Sequence, residues 1–127
     1  MTVAIRYMFF VGLLILQGCS NTSSIVVGDT RPPTNPEEVK VYLTAPDTYE
    51  EVALLESNSK GAWAPGDQAK TNVVIERLKR EAASLGANGI LLTGTQDVDG
   101  LYTAAGNSGV VTPIRYKAGS AIAIFVP

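Results

Sequence analysis

The side chain with the clearest chemistry is the thiol of Cys19, the only cysteine in the chain. A single cysteine cannot form a disulfide within one molecule, and a free exposed thiol is a liability in an oxidising compartment. It follows one basic residue, Arg6, and the apolar run of residues 7–16. A basic start, an apolar stretch of roughly 7–15 residues and a small residue before the cut are typical of a secretory signal. We therefore predict a signal peptide over residues 1–18.

The tetrad Leu16-Gln17-Gly18-Cys19 resembles the lipobox of bacterial lipoproteins. This resemblance implies cleavage after Gly18, a diacylglycerol on the Cys19 thiol and a further acyl chain, such as palmitate, on the new amino group. Two or more acyl chains hold a protein stably on a membrane, because each buried methylene contributes about 0.8 kcal/mol. The residue after the cysteine is Ser20. An Asp at that position would resemble an inner-membrane retention signal. The periplasmic face of the outer membrane is therefore the favoured location.

Composition argues against several classes of function. The chain has no histidine, the commonest general base and metal ligand at neutral pH. No serine has a histidine to activate it, so we expect no enzymatic activity and no cofactor. Removing residues 1–18 takes away Arg6 and no acid, so nine basic and twelve acidic residues remain, a net charge near −3. A weakly acidic domain gains nothing from phosphate neutralisation, so nucleic acid is not an expected partner.

Two other segments carry residues with binding chemistry. Asp97-Val98-Asp99-Gly100 is similar to the start of a calcium loop, but the further acids and the bidentate Glu of such a loop do not follow, so a solvated turn is favoured and no metal is assigned. Gly106-Asn107-Ser108-Gly109 is explained by turn chemistry, because the Lys of a phosphate loop is missing. Residues 97–114 together predict a long loop, either an extended hairpin tip or a disordered segment, and loops of this length are often functional.

Trp63 lies in the predicted connection between a strand and a helix. An aromatic side chain in such a position can anchor a protein partner. The interpretation favoured over this one is that Trp63 folds back as a lid over one end of the core.

The elements that position these residues follow from hydrophobic periodicity. Residues 19–35 are rich in Ser, Thr, Gly, Asn and Pro, which predicts a flexible tether reaching up to ~55 Å. Residues 36–127 are enough for a single domain with one core. Alternating or continuous apolar residues predict strands at 39–43, 51–56, 89–95 and 118–126, the first two as neighbours and the last as a central strand.

A helix is predicted between Asp67 and Leu85, because Val74, Leu78 and Ala82 recur at helical spacing. Asp67 or Thr71 can cap its start, and Gly86 can end it in the left-handed conformation. A strand, a helix and a strand in succession favour parallel flanking strands. The fold class is therefore α+β, a small sheet of about four strands in the order β-β-α-β-β with one helix on one face.

The stretch of residues 78–92, LKREAASLGANGILL, resembles the helix-to-strand signature of small α/β envelope proteins. These include the sensor lipoproteins of the Rcs stress pathway (RcsF-like) and YbjQ-like proteins. The closing stretch of residues 116–124, YKAGSAIAI, is similar to the final strand of the same sensors. The sensors have disulfides across the domain, whereas this chain has no cysteine after Cys19, so membership of a related lipoprotein family without an assigned role is favoured over the sensor itself.

These features predict a non-enzymatic, lipid-anchored envelope protein that acts as an interaction or stress-sensing module, with an envelope protein as its partner. The alternative is a lipoprotein that binds a small ligand or a metal through residues 97–114.

Overall fold

The computed structural model describes residues 21–103 and 111–127, with side chains for residues 21–100 and 114–127. The predicted signal peptide, Cys19, Ser20 and the glycine-rich stretch at 106–109 lie outside the described residues. Within the described part of the chain, no helix combines the length and the apolar character needed to cross a bilayer.

In the described residues, the domain consists of five strands and one long helix. The strands and the helix follow one another as β1 (Thr22–Val26), β2 (Lys40–Tyr42), β3 (Glu50–Asn58), α1 (Asp67–Ser84), β4 (Gly89–Thr103) and β5 (Val111–Phe125), with a short 3-10 helix at Pro36–Glu38. They form one mixed sheet in the order β1-β3-β5-β4-β2. The predicted α+β class with one helix is confirmed, with one strand more than the four expected.

The additional strand lies inside the segment predicted to be a flexible tether, and that prediction was wrong. β1 pairs antiparallel with β3, from Thr22 opposite Ser57 to Val26 opposite Ala53. The chain beyond it also has backbone partners, because the amide of Arg31 donates to the carbonyl of Leu85. The polar composition of this segment is that of an edge strand, whose backbone groups pair on one side only. The folded domain therefore already includes the residues from about 21 onward, and not only those from residue 36.

The order of the strands agrees with some of the sequence-based expectations and not with others. β5 is the central strand, as its apolar character on both faces predicted. β3 and β4 each run antiparallel to β5, so they are parallel to each other. The strands predicted at 39–43 and 51–56, which correspond to β2 and β3, were expected to be neighbours, and this was wrong. β2 lies at the edge of the sheet far from β3 and pairs parallel with β4. The position of β2 is thus set by backbone pairing across the whole sheet, although the connection between β2 and β3 is short.

The helix covers one face of the sheet and makes the core with it. Val74, Leu78 and Ala82 are fully buried against sheet residues that include Leu55 and Ala123. The N-cap is Gly66, which makes no side-chain capping bond, so the predicted cap by Asp67 or Thr71 was wrong. Thr71 Oγ instead donates to the carbonyl of Asp67 within the helix. Gly86 follows the helix at φ +78°, as predicted for its end.

The predicted long loop over residues 97–114 is mostly a hairpin. β4 continues to Thr103 and β5 begins at Val111, in register from Asp97 opposite Lys117 to Thr103 opposite Val111. Since β3 ends at Asn58, opposite Ala118, the hairpin extends beyond the sheet at that end. Of the two alternatives, the hairpin is therefore present in the described residues.

Candidate functional site

The face of the sheet opposite α1 carries a line of apolar side chains. Alternation along each strand places Leu55 against the helix and Leu54 on the uncovered face. Each strand contributes one residue to a continuous set of register partners on this face. We call this set the apolar row, which consists of Ile25, Leu54, Ile122, Leu91 and Tyr42.

The apolar row is open to solvent at the β1 side and closes toward β2. Ile25 is 66% exposed and Leu54 is 44% exposed, whereas the other three members are half-buried. At the β2 side Tyr42 lies over Gly89, where a Cβ atom would come within 2.7 Å of the ring. The missing side chain of Gly89 therefore lets Tyr42 cover this end of the row. The exposed hydrophobic surface is concentrated on β1 and β3.

A polar cleft of about 560 Å³ lies beside the apolar row on the same face, toward the hairpin. Its floor is made of small residues of the central strands, such as Gly94, Ala118 and Ser120, which leave the space open. Glu56 and Lys60 are the charged residues of its lining, and Lys60 Nζ lies 4.6 Å from the ring centre of Tyr116. One carboxylate and one ammonium leave the cleft close to neutral, with hydroxyl and amide groups for hydrogen bonding.

Trp63 is 92% exposed, so the predicted lid over the core was wrong. It belongs to the connection of residues 59–66 between β3 and α1, which we call the Trp63 loop. The base of this loop is fixed, because Arg77 Nη1 donates to the carbonyl oxygens of Asn58 at 2.7 Å and Lys60 at 2.9 Å. Asn21 Nδ2 also donates to the carbonyl of Lys60, at 3.0 Å. The indole is thus presented to solvent from an anchored loop.

The two aspartates of the calcium-like motif lie in β4, so the predicted solvated turn was wrong. Each carboxylate faces a cation at its register position on β5. Lys117 Nζ donates to Asp97 Oδ1 at 2.7 Å, and Arg115 Nε donates to Asp99 Oδ1 at 3.0 Å. These exposed ion pairs contribute little to stability, but they oppose a slip of the hairpin register, which would separate unlike charges.

The ion pairs also change the protonation equilibria of Asp97, Lys117 and Arg115. The hydrogen bond from Lys117 holds the pKa of Asp97 below its ordinary value, and the same bond raises the pKa of Lys117. The hydrogen bond to Asp99 raises the pKa of Arg115. Both aspartates therefore have cations close to the oxygens that a metal would require. The described residues contain no group of three or more His, Cys, Asp and Glu side chains arranged to hold a metal ion.

Sequence reasoning singled out Trp63 and the 97–114 segment but missed the apolar row. The structure does not bring Trp63 into the row, because Trp63 lies in a loop beyond the end of β3. A signal for part of the row was present, since Leu54 lies in a predicted strand next to Leu55 and the two must face opposite sides. Ile25 gave no such signal, because its segment has the composition of a loop.

Comparisons with known proteins give little further information. No family model matches the sequence, and no curated protein matches it. Among solved structures, a crystal structure of the Francisella virulence factor FvfA has 18% sequence identity and a TM-score of 0.44. The match covers 79% of this chain and 96% of that one.

Proposed function

We propose that this chain is a lipid-anchored protein of the bacterial cell envelope that acts, without catalysis, by binding another envelope protein. The observation that carries the binding part of the proposal is the exposed apolar row on the uncovered face of the sheet. The anchor is Cys19, and the favoured location is the periplasmic face of the outer membrane. Stress sensing is the role that the resemblance to the Rcs-type sensors implies, here without disulfides.

The geometry of the apolar row suits a protein partner. Five strands about 4.8 Å apart extend the row over roughly 19 Å, and its exposed part lies on β1 and β3. Contiguous exposed apolar surface with a polar rim is typical of protein contact sites. Glu56 and Ser23 provide such a rim on the side of the polar cleft. The partner should present aliphatic or aromatic side chains of its own to Ile25 and Leu54.

The polar cleft supports a second candidate function, the binding of a small polar ligand. Its volume and its neutral, hydrogen-bonding lining are compatible with such a ligand. Only Val98 of the cleft lining belongs to the 97–114 segment, so the ligand would contact mainly the sheet. This candidate predicts binding that depends on Glu56 and not on Leu54.

A photoreactive amino acid at position 54 of the mature lipoprotein tests the proposal in living cells. We expect one discrete adduct with another envelope protein, because Leu54 lies at the exposed side of the row. The same amino acid at position 76, on the exposed face of α1, is the matched control and should give no adduct. Ile25→Asp should reduce the adduct at position 54, since it places a charge in the row.

Three results would contradict the proposal. The first is an absence of any adduct at position 54, and the second is an equal yield at positions 54 and 76. The third is an adduct with the mass of two copies of this chain, which would assign the row to self-association.

The anchor is tested by Cys19→Ala. We expect the variant to keep residues 1–18 and to carry no lipid, because the thiol is the acceptor of the diacylglycerol that precedes cleavage. Intact mass spectrometry of the membrane fraction measures both changes. Ser20→Ala is the matched control and should mature normally. A Cys19→Ala chain that is still cleaved after Gly18 would disprove the lipobox assignment.

A further inference from the structure

The Trp63 loop is exposed beside the point where the folded domain meets its predicted lipid anchor. We propose that the Trp63 loop is a second membrane contact, in which the indole of Trp63 inserts among the lipid headgroups next to the acyl chains on Cys19. This inference rests on the proposed lipid anchor at Cys19. It goes beyond that anchor by assigning a lipid surface as the ligand of Trp63.

The first step is the length of chain between the anchor and the fold. Cys19 precedes Asn21 by two residues, and two residues span at most about 7 Å. β1 begins at Thr22, which pairs with Ser57 of β3. No flexible tether therefore separates the acylated residue from the sheet, and this end of the domain is held close to the bilayer surface.

The second step is the contact between the start of the described chain and the Trp63 loop. Asn21 Nδ2 donates to the carbonyl of Lys60 at 3.0 Å, so the chain enters the fold directly against this loop. Trp63 follows Lys60 by three residues, a span of at most about 11 Å. With roughly 9 Å more for the Asn21 side chain, its hydrogen bond and the Lys60 carbonyl, Trp63 lies within about 30 Å of Cys19 and at the same end of the sheet.

The third step is the chemistry of the loop itself. Tryptophan combines a large apolar ring with one N–H donor, and it is enriched where hydrocarbon meets water. Residues 59–66 contain one basic residue, Lys60, and no acidic residue. Lys60 is exposed, with its ammonium beside the ring of Tyr116, and it gives the loop a positive charge that the negative headgroups of anionic lipids attract. The turn at Gly61, with φ +75°, and the bonds from Arg77 hold the loop without covering the indole.

The hairpin of β4 and β5 leaves the sheet at this same end. Because the hairpin protrudes there, Trp63 reaches the lipid when the domain is oriented with its β1 edge, and not the hairpin, toward the bilayer.

Trp63 is the only tryptophan in the chain, so its fluorescence reports this contact directly. The lipidated protein is reconstituted into vesicles of three parts phosphatidylethanolamine to one part phosphatidylglycerol, with ordinary or brominated acyl chains. We expect emission at shorter wavelength than in water and a loss of roughly half of the emission in brominated vesicles. The same emission in both kinds of vesicle would overturn the proposal.

A relocated tryptophan provides the matched control. In the double variant with Trp63→Phe and Ser84→Trp, the single indole moves to an exposed position at the end of α1 that lies far from the Trp63 loop. The next residue, Leu85, accepts a hydrogen bond from the amide of Arg31. We expect no bromine quenching there. Equal quenching at positions 63 and 84 would indicate general adsorption and would also overturn the proposal.

The mass of the purified protein separates the two levels of inference. If Cys19 carries no diacylglycerol, the anchor proposed under the previous heading fails. If Cys19 is lipidated and Trp63 is not quenched, only the membrane contact of Trp63 fails.

Discussion

Gly86→Ala should lower the free energy of unfolding by several kcal/mol, with no polar or apolar side-chain contact removed. Gly86 has φ +78°, and a residue with a Cβ atom pays about 1–2 kcal/mol in the left-handed conformation. The new methyl group would also overlap the backbone carbonyl of Arg31. Arg31 cannot simply withdraw, because its amide donates to the carbonyl of Leu85 at 3.0 Å. Overpacking of this kind adds about 1–3 kcal/mol.

Gly61→Ala is the matched control, because Gly61 has nearly the same φ, +75°. A Cβ atom there would meet only Asn21 Nδ2, at an ordinary contact distance of 3.9 Å. The free energy of unfolding of Gly61→Ala should therefore fall only by about 1–2 kcal/mol, the cost of the left-handed conformation for a residue with a Cβ atom. Urea unfolding of both variants, followed by far-ultraviolet circular dichroism, measures the difference. Equal losses in the two variants would show that the approach of Arg31 to Gly86 is not a constraint.

Leu55→Ala should destabilise the domain by about 2–5 kcal/mol, because it opens a cavity between sheet and helix. Leu55 is 1% exposed and belongs to the same buried cluster as Val74 and Leu78. The adjacent Leu54→Ala removes the same atoms from the opposite face, where the side chain is 44% exposed. Its cost should be at most about 1 kcal/mol, the range of strand propensities. Urea unfolding again measures both values.

The pair of leucine variants also separates stability from binding. Leu54→Ala should weaken capture of the proposed envelope partner by a photoreactive group at position 25, although the domain stays folded. Leu55→Ala should affect capture only to the extent that it unfolds the domain. A Leu54→Ala chain that is as unstable as Leu55→Ala would show that the apolar row is part of a core, and not a contact surface.

The helix and its end were predictable because their signals are local. Val74, Leu78 and Ala82 recur at the helical period whatever the rest of the chain does. Gly86 supplies a conformation that other residues adopt only with strain, so it marks the end of the helix from sequence alone. The N-cap was less predictable: the sequence offered Asp67 and Thr71, but Gly66 serves there through its backbone freedom and leaves no side-chain signal.

β1 was missed because its strand character is not local. Thr22, Ile25 and Val26 are residue types that favour strands, but so short a run among Ser, Asn, Gly and Asp is a weak signal, and the pairing with β3 supplies the rest. The same pairing moves the predicted boundary of the domain to the residues next to Cys19. It thereby removes the expected tether and brings the Trp63 loop close to the predicted anchor.

The sequence by itself determined the features that depend on covalent order and period. These are the single thiol after a predicted secretory signal, the helix, the apolar character of the central strand and the α+β class. The tertiary structure alone decided which strands are neighbours, because backbone pairs between distant segments carry no sequence signature. It therefore also decided that Ile25 and Leu54 meet on an open face, that Asp97 and Asp99 face cations, and that Trp63 is exposed beside the start of β1. Each of these depends on register, and register is fixed only when the whole sheet buries its helix-facing side.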